Sequence, residues 1–89
     1  MFKDSYQHLS DSLISPAEFC FAISPDDVAE LQEATKAIYV GNGGDVTLRC
    51  VRGEADITFT NVPSGSILDV RVRAVRHTGT TASNIVALA

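Results

Sequence analysis

Asp45-Val46-Thr47-Leu48-Arg49-Cys50-Val51, the break Arg52-Gly53-Glu54, and Ala55-Asp56-Ile57-Thr58-Phe59-Thr60 decide the fold class of this 89-residue chain. Both runs alternate in the period of two that a half-buried strand requires. Val46, Leu48 and Cys50 fall on one face of the first, Thr47 and Arg49 on the other. In the second, Ile57 and Phe59 point inward, with Asp56, Thr58 and Thr60 outward. A glycine between two such runs is a turn signal.

Outward from this pair the chain reads as strand after strand. Ser66–Val75 is the longest, with Leu68, Val70, Val72 and Ala74 facing a core and Asp69, Arg71 and Arg73 opposite. It follows a turn at Asn61-Val62-Pro63-Ser64-Gly65. Thr35–Val40 is another strand, and Gly41-Asn42-Gly43-Gly44 behind it reads as a hairpin turn that needs positive φ. Glu18–Ile23 is apolar on both faces, Phe19, Phe21 and Ile23 on one and Cys20 and Ala22 on the other, and so expects cover on both sides. His77–Asn84 is a polar loop, and Ile85–Leu88 closes the chain as a strand. Ser24-Pro25-Asp26-Asp27 signals a helix start, with Ser24 as cap and two acids at the positive end of the dipole. Val28 and Leu31 allow that helix only one or two turns. The expected fold is all-β, a small antiparallel β-sandwich or barrel with an N-terminal arm and one short helical segment. Leu48, Ile57, Phe59, Val70 and Val72 are its expected core.

Residues 1–17 are the arm and 18–89 the single β-domain. In the arm, Phe2, Tyr6, Leu9 and Leu13 recur at spacings of four, three and four, a one-faced helical stripe. Such a helix packs on its own domain or on another subunit. Residues 1–33 hold one base, Lys3, against seven acids, whereas residues 34–89 hold six bases against four acids. An acidic front and a basic back attract each other within a subunit or between neighbours. A domain this small buries a modest share of its surface, which raises the value of association with copies. The interface residues expected on these grounds are Phe2, Tyr6, Leu9 and Leu13 of the arm, Phe19 and Phe21 of the two-faced strand, and Arg71 and Arg73.

The chemistry-bearing groups form no catalytic, cofactor or metal constellation. The glycine turn lacks the Lys-Ser or Lys-Thr of a phosphate loop. Cys20 and Cys50 sit in apolar runs, as free buried thiols do; a disulfide and a zinc site with His8 and His77 are the alternatives, the latter without the usual close ligand pairs. A net charge of −4 and strands without interleaved aromatics argue against nucleic acid. No run approaches the ~18 apolar residues of a membrane helix. The opening Met1-Phe2-Lys3-Asp4 lacks the basic and apolar regions of a secretion signal, so synthesis and assembly in the cytoplasm are expected.

Three groups of segments carry a resemblance. The first is Met1-Phe2-Lys3-Asp4-Ser5-Tyr6 with Asp11-Ser12-Leu13 and Ser15-Pro16-Ala17. The second is Ala34-Thr35-Lys36-Ala37-Ile38-Tyr39-Val40-Gly41 through Gly43-Gly44-Asp45. The third is Asn61-Val62-Pro63-Ser64-Gly65, Arg71–Val75, Thr78-Gly79-Thr80-Thr81-Ala82 and Asn84-Ile85-Val86-Ala87-Leu88. In order and spacing they resemble the head spike base proteins of gene transfer agents and related tailed phages. The resemblance implies a non-enzymatic structural component of a phage-like particle. It would form a pedestal at the capsid vertex, a ring of five copies by the symmetry of that vertex, touching capsid protein and holding a spike fibre. An independent glycan-binding β-module, with Tyr39 as its aromatic platform, is the alternative.

Overall fold

A computed structural model describes residues 17–89. The stripe of Phe2, Tyr6, Leu9 and Leu13 lies outside the described residues. Seven strands follow: β1 (Cys20–Ala22), β2 (Ala37–Asn42), β3 (Gly44–Cys50), β4 (Ile57–Val62), β5 (Ser66–Leu68), β6 (Val72–Val75) and β7 (Ser83–Leu88). They form a four-stranded sheet in the order β1-β7-β2-β5 and a three-stranded sheet in the order β4-β3-β6. Every pairing is antiparallel. The fold is thus all-β, and it is a sandwich rather than a barrel.

The inner faces of the two sheets share one core. Ile38, Val40, Ile85 and Ala87 from the larger sheet meet Val46, Leu48, Val72 and Val75 from the smaller. Direct cross-strand partners lie on the same face: Ile38 pairs with Ala87, and Leu48 with Val75. Ala74, expected toward the core, instead pairs with the outward Arg49, because a register shift between Arg49 and Cys50 reverses the alternation of β6 after Val72 and turns Val75 inward.

Several expectations need correction. Among the described residues there is no helix. Ser24 does not cap; instead Asp26 Oδ1 accepts the N–H groups of Val28 (2.7 Å) and Ala29 (2.8 Å) in a side-chain-closed turn. Segment 26–31 then donates to β6, Asp26 N–H to the Val75 carbonyl (2.9 Å) and Leu31 N–H to that of Arg73 (2.8 Å). Covering a sheet edge satisfies these groups where an apolar helical stripe is lacking; Val28 is 87% exposed.

Gly41–Gly44 is not a hairpin turn, because β2 and β3 belong to different sheets. It is a corner of the sandwich. Likewise Ser66–Val75 is not one strand. β5 belongs to the larger sheet and β6 to the smaller, with the crossing at residues 69–71. Thr35, fully buried, pins this crossing: its Oγ1 accepts Val72 N–H (3.1 Å), and its N–H donates to the Val72 carbonyl (3.1 Å). The apolar alternation runs on through the break because both sheets turn their inner faces to the same core.

Of the five expected core residues, Leu48 and Val72 are fully buried, and Phe59 and Val70 are half-buried against the core. Ile57 is 54% exposed. It pairs with Leu48 and so points to the core side, but β4 is an edge strand and the opposite sheet does not cover it. Thr47, expected outward, is outward but buried under the 76–80 segment: Arg76 N–H donates to the Thr47 carbonyl (2.8 Å), and Thr47 N–H to Thr80 Oγ1 (2.9 Å). Both cysteines are free; Cys50 is half-buried, but Cys20 is exposed rather than buried, because it faces outward from edge strand β1.

Candidate interaction surfaces

The two outer faces of the sandwich differ in kind. That of the three-stranded sheet is polar and covered by the chain's own loops. Its strands project Thr47 and Thr58, Arg76 follows directly on β6, and the segments around Asp27 and Thr78 fold over them, leaving an open cleft of about 500 Å³. Thr47 and Thr58 are cross-strand partners whose hydroxyl oxygens lie 2.8 Å apart. Asp56 Oδ1 accepts from Arg49 Nε (2.9 Å) and Arg76 Nε (3.3 Å). Arg76, buried on the sheet, also reaches the carbonyls of Asp26 and Ala29 at 3.5 Å through Nη1. Thr78 donates its N–H to Asp27 Oδ1 (2.8 Å) and its hydroxyl to Asp27 Oδ2 (2.7 Å). Each carboxylate of the cleft is therefore engaged within the chain, Asp56 with Arg49 of β3 and with Arg76, and Asp27 with Thr78 of the neighbouring loop. Among the described residues no cluster of three metal-ligating side chains is present.

These donors hold two carboxyl groups below their ordinary value of 3.8. The backbone N–H groups of Ala29 and Val28 do so for Asp26, and the Thr78 backbone and hydroxyl do so for Asp27. A carboxylate stabilised in the folded state contributes fully above its unfolded pKa, and its contribution fades as pH falls through the lower folded value. Below about pH 4, where model carboxyls protonate, the loops carrying Val28, Ala29 and Thr78 should loosen first. Amide hydrogen exchange, corrected for its intrinsic pH dependence, should show these three sites losing protection while Leu48 and Val72 keep theirs. In Asp27→Asn the pH dependence at Thr78 should vanish. Uniform loss of protection across the domain would contradict this.

The outer face of the four-stranded sheet is apolar. Ile67, Tyr39, Val86 and Ala22 are successive cross-strand partners on β5, β2, β7 and β1, a row running the width of the sheet. A second row, Ala37, Leu88 and Cys20, lies beside it. Neither row holds a charge. Ile67 is 61% exposed and Tyr39 37%. Such a contiguous apolar face makes the outer side of this sheet the candidate interaction surface.

The expected interface residues separate in the structure. Phe21 packs inward against the core from β1. Phe19 is 47% exposed just before that strand, its ring centroid 5.5 Å from that of Phe21. Arg71 is exposed, but its Nε donates to the Thr35 carbonyl (3.2 Å). Arg73 is half-buried, with Nη1 3.5 Å from Glu30 Oε2 and Nη2 on the Gly53 carbonyl (3.2 Å). Both arginines thus hold turns of their own chain. Arg49, on the outward face of β3, pairs with Asp56. The apolar rows of the larger sheet were not singled out from sequence. Their signal is visible as strands apolar on both faces, such as Glu18–Ile23, but only the strand order shows that the outward residues align.

No protein-family model matches the chain, and no curated protein is similar to it. Among solved structures, a chain of the capsid of the native GTA particle, computed with C5 symmetry, matches with a TM-score of 0.80 and 37% sequence identity. The match covers 98% of this chain and 100% of that one. The chain therefore belongs to the family of that capsid chain, the gene transfer agent capsid-associated proteins. It is a structural component of a phage-like particle.

Proposed function

We propose that this protein is the base of a head spike, a ring of five copies seated on the capsid vertex and holding a spike fibre, and that it has no enzymatic activity. The observation that carries this reading is the end-to-end likeness to a chain of a GTA particle capsid computed with C5 symmetry. The resemblance of the opening, central and closing segments to head spike base proteins supplies the finer role. The charged groups support a scaffold: Asp27, Asp56, Arg73 and Arg76 are all engaged in contacts that hold segments of their own chain together. A head-to-tail contact between copies terminates only by closing into a ring, and a five-fold vertex supplies the matching symmetry. The particle, the virion, is then where the mature protein resides.

Native mass spectrometry of the full-length chain should give a species of five subunits, and that species should be retained by purified capsids and by the fibre. A stable monomer at high concentration, or a two-fold dimer with a self-complementary interface, would sink the ring. Binding of the isolated subunit to polysaccharide, with no affinity for capsid, would favour the glycan-binding module instead.

A further inference from the structure

We propose that copies of this chain join edge to edge through their larger sheets, the free edge of β5 in one copy pairing antiparallel with the free edge of β1 in the next, so that Ile67 stands opposite Ala22 of the neighbouring copy. The inference rests on the ring reading above and adds its seam. The larger sheet holds four strands in the order β1-β7-β2-β5, each antiparallel to its neighbour. An even number of such strands makes the two edge strands run in opposite directions. A second copy, turned about an axis along the strands, therefore sets its β1 antiparallel to β5, with both outer faces on one side. The three-stranded sheet cannot repeat in this way. Its edge strands β4 and β6 run in the same direction, and segment 26–31 already bonds to the edge of β6. Because the seam joins two unlike edges, it repeats from copy to copy and ends only on closure.

The backbone groups on both edges are turned outward. The Val40 carbonyl accepts Gly65 N–H (2.7 Å), so Val40 faces β5. By the alternation of hydrogen-bonding groups along a strand, Ser66 and Leu68 face back to β2, and Ile67 turns its N–H and C=O to the open side. On β1, Phe19 exchanges bonds with Ala89 (3.1 and 2.7 Å), and Ile23 N–H reaches the Ile85 carbonyl (2.9 Å). Cys20 and Ala22 therefore turn theirs away from β7. Neither strand carries the charge or proline that wards off another strand. Charge selects between the two registers these groups allow. Ile67 opposite Cys20 would set Asp69 against Glu18 of the next copy, two exposed acids. Ile67 opposite Ala22 moves Glu18 two residues along, to the exposed Arg71. Opposite charges across strands stabilise and like charges oppose pairing. The same register joins the row of Ile67, Tyr39, Val86 and Ala22 end to end with that of the next copy.

Disulfide trapping in the full chain tests the seam. With Cys20 and Cys50 replaced by Ser, the variant Ala22→Cys with Ile67→Cys should oxidise between chains. A facing pair of this kind has Cα atoms about 5.5 Å apart, within the range of a disulfide. Inside one chain the two positions are three strand spacings apart, roughly 14 Å, too far to bridge. Non-reducing electrophoresis should show a ladder that ends at five chains, with position 22 joined to position 67 in peptide maps. The shifted pair, native Cys20 with Ile67→Cys and Cys50→Ser, should cross-link several-fold less; equal yields would overturn the register. Position 67 joined to itself, in products that stop at two chains, would overturn the head-to-tail seam. A charge exchange gives a second measurement. Arg71→Glu should weaken assembly several-fold in native mass spectrometry, and adding Glu18→Arg should restore it. Failure of that rescue would count against the register. A five-copy species without any ladder would overturn the seam and leave the ring standing, whereas the absence of a five-copy species would overturn both.

Discussion

Leu48→Ala is expected to destabilise the domain by about 2–5 kcal/mol, the usual range for truncating a buried leucine. Leu48 has no exposed surface. It lies in β3, the central strand of the smaller sheet, between Ile57 on β4 and Val75 on β6. The larger sheet packs over it from the other side. Removing the side chain leaves a cavity walled by strands of both sheets, which cannot collapse without breaking a ladder. Small domains sit low in the ~5–15 kcal/mol range of folding stabilities, so this one change removes a large share of the total. Urea unfolding followed by circular dichroism gives the loss directly. Ile57→Ala, one strand away on the same face, should cost no more than about 0.5 kcal/mol, as surface substitutions do. Equal losses for the two would mean that the edge strand is covered after all.

Gly43→Ala should also be costly, for a different reason. A Cβ at Gly43 would stand 2.3 Å from the Val62 carbonyl oxygen and 2.7 Å from Ser64 N. Both obstacles are backbone, so no side chain can swing aside. The Gly43 N–H also donates to Ser64 Oγ (2.8 Å). The corner between β2 and β3 rests directly on the corner between β4 and β5. Next to it, Gly44 has φ +154 and Thr81 Oγ1 at 2.6 Å from where a Cβ would be. Overpacking of this kind typically costs about 1–3 kcal/mol. For a domain of this size, 2 kcal/mol corresponds to a melting midpoint lower by roughly 8–16 °C. Scanning calorimetry of Gly43→Ala against Gly53→Ala checks it, since a Cβ at Gly53 meets nothing closer than 3.3 Å. A midpoint for Gly43→Ala no lower than that of Gly53→Ala would show that the two corners are not in contact.

The faces of the strands were legible in the sequence, whereas the partners of the strands were not. Alternation placed Val46, Leu48, Phe59 and Val72 on the core side because it depends only on the pleat. Which sheet a strand joins depends on contacts remote in sequence, such as Thr35 with Val72. Ser66–Val75 therefore read as one strand, and Gly41–Gly44 as a hairpin, because both obey the same local rules as a sandwich corner. The short helix failed for a related reason. Asp26 and Pro25 do open a turn, but the free edge of β6 then takes the backbone that a helix would have used. Arg71 and Arg73 showed their charge and not their partners, the carbonyls of Thr35 and Gly53.

The strand order also bears on when this chain can fold. Only β3 and β4 pair with a neighbour in sequence, and β7 lies in the middle of the larger sheet, between β1 and β2. Residues 20–22 and 37–42 therefore wait, unpaired with each other, until residues 83–88 have been synthesised. Pairings so distant along the chain fold slowly compared with local ones. The first strand has nowhere to go until residues 83–88 have left the ribosome, and a chain cut before Ser83 would lack the strand that pairs with both β1 and β2.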